Sequence, residues 1–283
     1  MWCDKTALVL EGGGFRGLYS SGVIDYFMEQ SLEFSYIIGV SMGAINGANY
    51  VAKQPKRMIE VAEEYMLDKR YMGFGNLIKE GNFFSRYFAF NELPRRYNQL
   101  DFKTYYNSPV RFYMVATDVD TGGPHYFEKM DGDVCDAITA SSSLPLVSRM
   151  VKIGHGRYLD GGVADSVPVK KALNDGNEKA VVVLTRPKGY RKEPYEYPKL
   201  VKARYHREPA LVKAILDRHI RYNQCMDEID SLEEEGRIYV IRPDEPIAAN
   251  LIEKDPEGVR KSYETGYAQA KAEWQPLLDY LTA

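Results

Sequence analysis

Gly39-Val40-Ser41-Met42-Gly43 joins two stretches of opposite character. Phe34-Ser35-Tyr36-Ile37-Ile38 before it is apolar and partly β-branched, the pattern of a short buried strand. Ala44-Ile45-Asn46-Gly47-Ala48-Asn49-Tyr50-Val51-Ala52 after it is small and mildly amphipathic, the pattern of a helix. A serine is therefore expected where a strand turns sharply into a helix. Gly39 and Gly43 carry no Cβ to clash with the neighbouring strand or with the helix, so the chain can fold that tightly. Such a turn displays the hydroxyl above the sheet, and the helix N-terminus behind it favours developing negative charge. Five residues of this form are a weak signal by themselves. Their strand–turn–helix setting makes Ser41 a candidate nucleophile rather than a tight-turn serine with no chemistry.

A second strand–loop–helix unit lies upstream. Ala7-Leu8-Val9-Leu10 reads as a buried strand, and a helix is expected from about Leu18 to Gln30. Between them, Glu11-Gly12-Gly13-Gly14-Phe15-Arg16-Gly17 presents consecutive backbone N–H groups at a helix N-terminus, an arrangement that receives anions. Gly12, Gly14 and Gly17 also satisfy G-x-G-x-x-G. A dinucleotide site, however, wants an acidic residue ending the second strand about 20 residues on. That strand ends in Gly39-Val40-Ser41, and Glu33 stands at its other end. A nucleoside-triphosphate loop is excluded because no Gly-Lys-Ser/Thr follows.

Downstream, a helical pattern runs from Pro55 to about Asp68, followed by an aromatic region. Phe83, Phe84, Tyr87, Phe88 and Phe90 read as a stripe on a helix, first as core and second as a mobile cover over an acyl-chain groove. Pro109 to Asp118 is a strand. Asp120-Thr121-Gly122-Gly123 turns it into His125-Tyr126-Phe127. A helix starting at Asp131-Gly132-Asp133 ends at Ala140-Ser141-Ser142-Ser143-Leu144-Pro145. A hairpin around Gly154-His155-Gly156 then delivers the chain to Asp160-Gly161-Gly162. Val167 to Asn174 is a short helix, and Ala180 to Leu184 is a central strand. From Lys188 to Arg221 the cations outnumber the acids, which reads as a solvated helical face or as a patch for anionic head groups. Arg237 to Ile241 is a last strand, and Pro256 to Leu281 a single terminal helix. Strands alternating with helices predict a three-layer α/β/α sandwich with a mostly parallel central sheet. The expected division is a catalytic core over 1–186 and a helical C-terminal extension over 187–283, which adds one further strand and packs on the same domain.

The 283 residues are 45% hydrophobic and 27% charged, with a net charge of −3. Those values fit a soluble globular protein and give no general pull toward nucleic acid. Cys3, Cys135 and Cys225 are far apart and odd in number, which suits a reducing compartment better than a disulfide scaffold. No secretory signal and no membrane-spanning run are evident, so the expected location is cytoplasmic, with any membrane contact peripheral.

Three features now belong together: Gly12-Gly13-Gly14-Phe15-Arg16-Gly17, Gly39-Val40-Ser41-Met42-Gly43 and Asp160-Gly161-Gly162. In this order they resemble the patatin-like phospholipase family, and Ala140-Ser141-Ser142-Ser143-Leu144-Pro145 resembles the family's small-residue segment ahead of the aspartate. The likeness runs from about Thr6 to Leu184. It implies a serine–aspartate dyad that cleaves acyl esters of lipids, with phospholipid or another acyl-ester lipid as substrate. Ser41 would be the nucleophile and Asp160 the proton acceptor. The amides of Gly12, Gly13 and Gly14 would form the oxyanion hole, with Arg16 in the same loop. No cofactor or metal is called for.

Elementary chemistry supports the same roles. Acyl transfer needs an activated hydroxyl and donors aimed at the oxyanion. A carboxylate is a poor base at its reference pKa near ~3.9, so burial without a paired cation is expected to raise its basicity. Gly161 and Gly162 leave room for Asp160 to approach Ser41. Two alternatives stay open. A Ser-Asp-His triad would use His206 or His219, since both follow Asp160. A non-catalytic lipid- or nucleotide-binding module would use the glycine loop as an anion cradle.

Overall fold

Eight strands form one mixed sheet in the structure, a computed structural model that describes residues 1–283. They are β1 (Trp2–Leu10), β2 (Glu33–Val40), β3 (Arg111–Asp118), β4 (Pro124–Glu128), β5 (Val151–Ile153), β6 (Gly156–Asp160), β7 (Lys179–Val183) and β8 (Ile238–Ile241). The parallel centre runs β3-β2-β1-β7-β8, and the antiparallel strands gather around β3.

Strand β1 shows why helices cover both faces. Leu8 and Leu10 point into a cluster with Tyr19, Val23 and Phe27 of the helix Leu18–Glu29 and with Ala44 and Ala48 of the helix Met42–Val51. Ala7 and Val9 point the other way. They meet Val169 and Ala172 of the helix Val169–Asn174 and Tyr222, Met226 and Ile229 of the helix Arg218–Glu234. Each fully buried Val or Leu contributes about 1.5–3 kcal/mol, so a strand with two apolar faces is held only between two helical layers. The three-layer α/β/α expectation is met.

Strand β3 decides where the site forms. β2 pairs with it from Arg111 to Val115, and β4 pairs with it from Tyr113 to Thr117. A strand has two edges, so β2 and β4 occupy opposite ones. β6 pairs with β3 at Ala116, Thr117 and Asp118, where β4 still holds its own edge. β6 therefore takes over the edge that β2 leaves. Val40 lies opposite Val115, and Asp160 lies opposite Ala116.

Several elements differ from the sequence reading. The Phe83–Phe90 stripe is not one helix. Phe84 forms an isolated bridge to Met72, the Phe83 amide donates to Val147, and only from Phe88 does a helix begin. That helix, Phe88–Tyr97, has π geometry: Glu92 N–H donates to Tyr87 and Asn98 N–H to Leu93, each five residues back. Phe83 and Phe88 are buried in a satellite core with Phe15, Met42 and Tyr65, whereas Tyr87 is exposed. The terminal helix is two, Pro256–Ala272 and Trp274–Thr282. Pro276 has no N–H to give to the preceding turn, so the helix restarts with this proline in its first turn. Trp274 at the restart stacks edge-on against Tyr26, fastening the end of the chain to the helix Leu18–Glu29. No helix is long and apolar enough to cross a membrane.

Candidate active site

Ser41 occupies the turn between β2 and the helix Met42–Val51 with φ 55° and ψ −119°. For a side chain with a Cβ that is a costly conformation, about 1–3 kcal/mol, held only because its surroundings fix it. A Cβ on Gly39 would lie 2.3 Å from the carbonyl of Gly43, and one on Gly43 2.3 Å from the carbonyl of Leu10. Both positions therefore admit glycine alone. The Ser41 amide donates to Ser141 Oγ at 2.8 Å, and Ser141 Oγ donates to the Val115 carbonyl at 2.6 Å.

Asp160 ends β6 and is nearly inaccessible to solvent. Its amide donates to the Ser143 carbonyl at 2.8 Å, and Thr117 Oγ1 donates to its carbonyl at 2.8 Å. Its Oδ1 accepts the Gly162 amide at 2.8 Å, while Oδ2 is buried with no hydrogen-bond partner. The Ser41 hydroxyl lowers the pKa of this carboxylate, although Oδ2 itself completes no hydrogen bond. Burial raises the Asp160 pKa above the usual carboxylate value. The charge of Arg218, the Ser41 hydroxyl and the Gly162 amide each pull it back without cancelling that rise. The sequence reading expected no cation beside this acid. Arg218, the first residue of the helix Arg218–Glu234, lines the same cavity and supplies one. Gly161 packs against β3, where a Cβ would lie 2.1 Å from the Val115 carbonyl.

Ser41 and Asp160 open into one cavity of about 230 Å³, shared with Glu11, Gly12, Gly13, Arg16, Gly162, Arg186, Lys192, Arg218 and Tyr222 among others. The amides of Gly12 and Gly13 donate to no protein group. Gly12 backs directly on Ser41, since a Cβ there would lie 3.1 Å from Ser41 Cβ. Gly14 is placed differently. It has φ +56°, lies beneath the carbonyl of Leu251, and is not part of the cavity lining. A larger cavity of about 730 Å³ lies elsewhere; two of its three arginines are paired, Arg86 with Asp136 and Arg95 with Asp133, and it contains neither Ser41 nor Asp160.

The sequence reading passed over several residues that shape this site. Glu11 is buried, and its carboxylate accepts Thr185 N at 2.6 Å, Thr185 Oγ1 at 3.0 Å and Tyr222 Oη at 2.9 Å. It thereby ties the helix Arg218–Glu234 to the ends of β1 and β7. Lys192 and Arg218 fall within the basic stretch, for which composition alone allows a solvated face or a patch for anionic head groups; both are half-buried in the cavity wall. His206 and His219 each face the carbonyl three residues back, Ala203 at 3.2 Å and Leu216 at 2.9 Å, and neither lines the cavity. No cluster of three or more His, Cys, Asp or Glu side chains is arranged to hold a metal.

The chain is similar over 93% of its length to the uncharacterized protein YjjU of Escherichia coli K12, at 28% identity and covering 75% of that protein. It is 29% identical over 174 residues to the lysophospholipase nte1 of Aspergillus terreus, of which it covers 11%. A viral relative, named "Probable lipid hydrolase 463L", from invertebrate iridescent virus 6 is 24% identical over 61% of this chain and 64% of its own. Residues 208–282 match a family described only as a domain of unknown function. Residues 8–173 match the patatin-like phospholipase family across both glycine turns and the aspartate, and the chain belongs to that family.

Proposed function

We propose that this protein is a serine acyl-ester hydrolase acting on lipids, of phospholipase A type, with Ser41 as nucleophile and Asp160 as its base. The Ser41 hydroxyl attacks the ester carbonyl as its proton passes to Asp160 Oδ2, the carboxylate oxygen without a partner. The carbonyl oxygen becomes an oxyanion facing the free amides of Gly12 and Gly13. Collapse expels the alcohol, which takes the proton from Asp160, and leaves an acyl-serine. Water then attacks the acyl-serine, giving its proton to Asp160. The serine recovers that proton as the fatty acid departs.

The observation that carries this reading is the register on β3. Strand β2, ending before the serine, and strand β6, ending on the aspartate, occupy successive positions of one edge. Residues far apart in sequence thus enter one cavity. The family supports lipid acyl hydrolase activity, and the relatives named for lysophospholipase and lipid hydrolase activity point the same way. A triad with His206 or His219 is disfavoured because neither ring reaches the cavity. Rates on a panel of acyl glycerophospholipids test the proposal: Ser41→Ala is expected to abolish turnover, and retained turnover would refute it.

A further inference from the structure

Four cations share the cavity with Ser41: Arg16, Arg186, Lys192 and Arg218. None of them joins an ion pair, although Arg157, Arg191 and Arg242 elsewhere all do. Arg16 Nε and Arg218 Nε are buried with no acceptor. Lys192 Nζ makes no hydrogen bond or ion pair and lies against aromatic faces, Tyr222 at 4.5 Å and Tyr190 at 5.9 Å, and Arg186 lies 4.5 Å over Tyr190. The cavity holds two acids, Glu11 and Asp160. Glu11 is already engaged by Thr185 and Tyr222. With Lys192 protonated and both acids ionised, the cavity is left with two positive charges in excess and a set of unused donors. Holding like charges together, partly desolvated and unpaired, is unfavourable unless an anion completes the set.

The geometry points to a phosphate subsite built into the reactive cavity: these four cations receive the phosphomonoester head group of the acyl-ester substrate. This rests on the hydrolase reading above and adds the class of lipid, a monoacyl glycerol phosphate. Three arguments select it. Arginine forks and a lysine match terminal phosphate oxygens, and a dianion matches the excess charge. A choline or ethanolamine diester would bring its own cation among four others, which is repulsive. The subsite is also near the reacting bond, since the point a Cβ on Gly162 would occupy is 2.9 Å from Arg218 Nη2 and 3.0 Å from Asp160 Oδ1. Only three of the fourteen lining residues are hydrophobic, so the cavity takes the polar end of a lipid while the chain leaves it. Burial and the three arginines lower the Lys192 pKa to about 7, which a bound dianion would reverse.

The test has a binding arm and a turnover arm, each on the full chain. Calorimetry of sn-glycerol 3-phosphate and of inorganic phosphate uses wild type, Ser41→Ala, Arg186→Gln and Lys192→Met. Turnover compares kcat/KM for a 1-acyl-glycerol 3-phosphate with that for the matching glycerophosphocholine. The subsite predicts at least about tenfold preference for the phosphomonoester, and about tenfold loss of both that ratio and glycerol phosphate affinity in each cation variant. A ratio that neither variant moves, or a preference for the choline lipid, overturns it. Inorganic phosphate binding as tightly as glycerol phosphate, with no effect of either variant on the ratio, shows a free-anion site and also overturns it. Glycerol phosphate binding that is weakened in Lys192→Met, with no ester turned over by wild type, sinks the hydrolase reading and leaves the phosphate site standing.

Discussion

Ser141 Oγ is held between two groups: it accepts the Ser41 amide and donates to the Val115 carbonyl. Two residues on, the Ser143 carbonyl accepts the Asp160 amide. The segment at the end of the helix Val134–Ser141 therefore grips the backbone of both proposed dyad members. Its run of small residues allows this close approach.

Ser141→Ala is expected to lower kcat about 10- to 100-fold while KM changes little, because the hydroxyl positions the strained serine without touching substrate. Stability should fall by about 1–3 kcal/mol, the cost of leaving a buried amide and carbonyl unpartnered. Steady-state kinetics with a melting curve checks both, and a rise in KM at constant kcat would contradict the positioning role.

Asp160→Asn is expected to reduce turnover by at least about 100-fold, the usual range for losing a general base. It should also change the pH dependence of stability. Burial raises the Asp160 pKa, so between the ordinary carboxylate value of 3.8 and the raised value the folded state binds more protons than the unfolded. That contribution is present at low pH and is lost as pH rises through the window. Melting curves should show this downward slope in wild type and a flatter profile in Asp160→Asn. Identical slopes would contradict the assignment.

Gly12→Ala places a methyl 2.9 Å from the Val40 carbonyl and 3.1 Å from Ser41 Cβ. The loop must shift, carrying the proposed oxyanion donors with it. A loss of about 100-fold or more in kcat is expected, with ester turnover as the measurement.

Anion affinity should depend on Lys192. The groups facing it are Arg16, Arg186, Arg218, Glu11, Tyr190 and Tyr222, and its pKa is lowered to about 7. Sulfate keeps its charge across neutral pH, so its binding isolates the protein's contribution. Sulfate should bind more weakly as pH rises through about 7 in wild type, and this dependence should vanish in Lys192→Met. A flat wild-type profile would contradict the prediction.

Local chemistry explains what was legible in the sequence. The two strand–glycine–helix turns carry their own sterics, so the placement of Ser41 between Gly39 and Gly43 could be read from neighbours alone. The alternation of β1 and β7 with helical patterns was enough for the layered architecture. The hand-over from β2 to β6 on one edge of β3 is a long-range pairing that no local pattern encodes. The basic stretch is legible only as charge: composition shows that Lys192 and Arg218 are cations, but not that a loop and the start of the helix Arg218–Glu234 bring both into the wall of one cavity. Aromatic periodicity suggested a helix over Phe83–Phe90, where the bridge between Met72 and Phe84 takes the backbone hydrogen bonds instead.

The central claim is that Ser41 is an activated nucleophile. Its most direct test is peptide mapping by mass spectrometry after treatment with an alkyl fluorophosphonate. The expected result is a single adduct on the Ser41 peptide, forming at least about 100-fold more slowly in Asp160→Asn. Ester hydrolysis that persists while Ser41 stays unlabelled, or an adduct on another residue that abolishes hydrolysis, would contradict it.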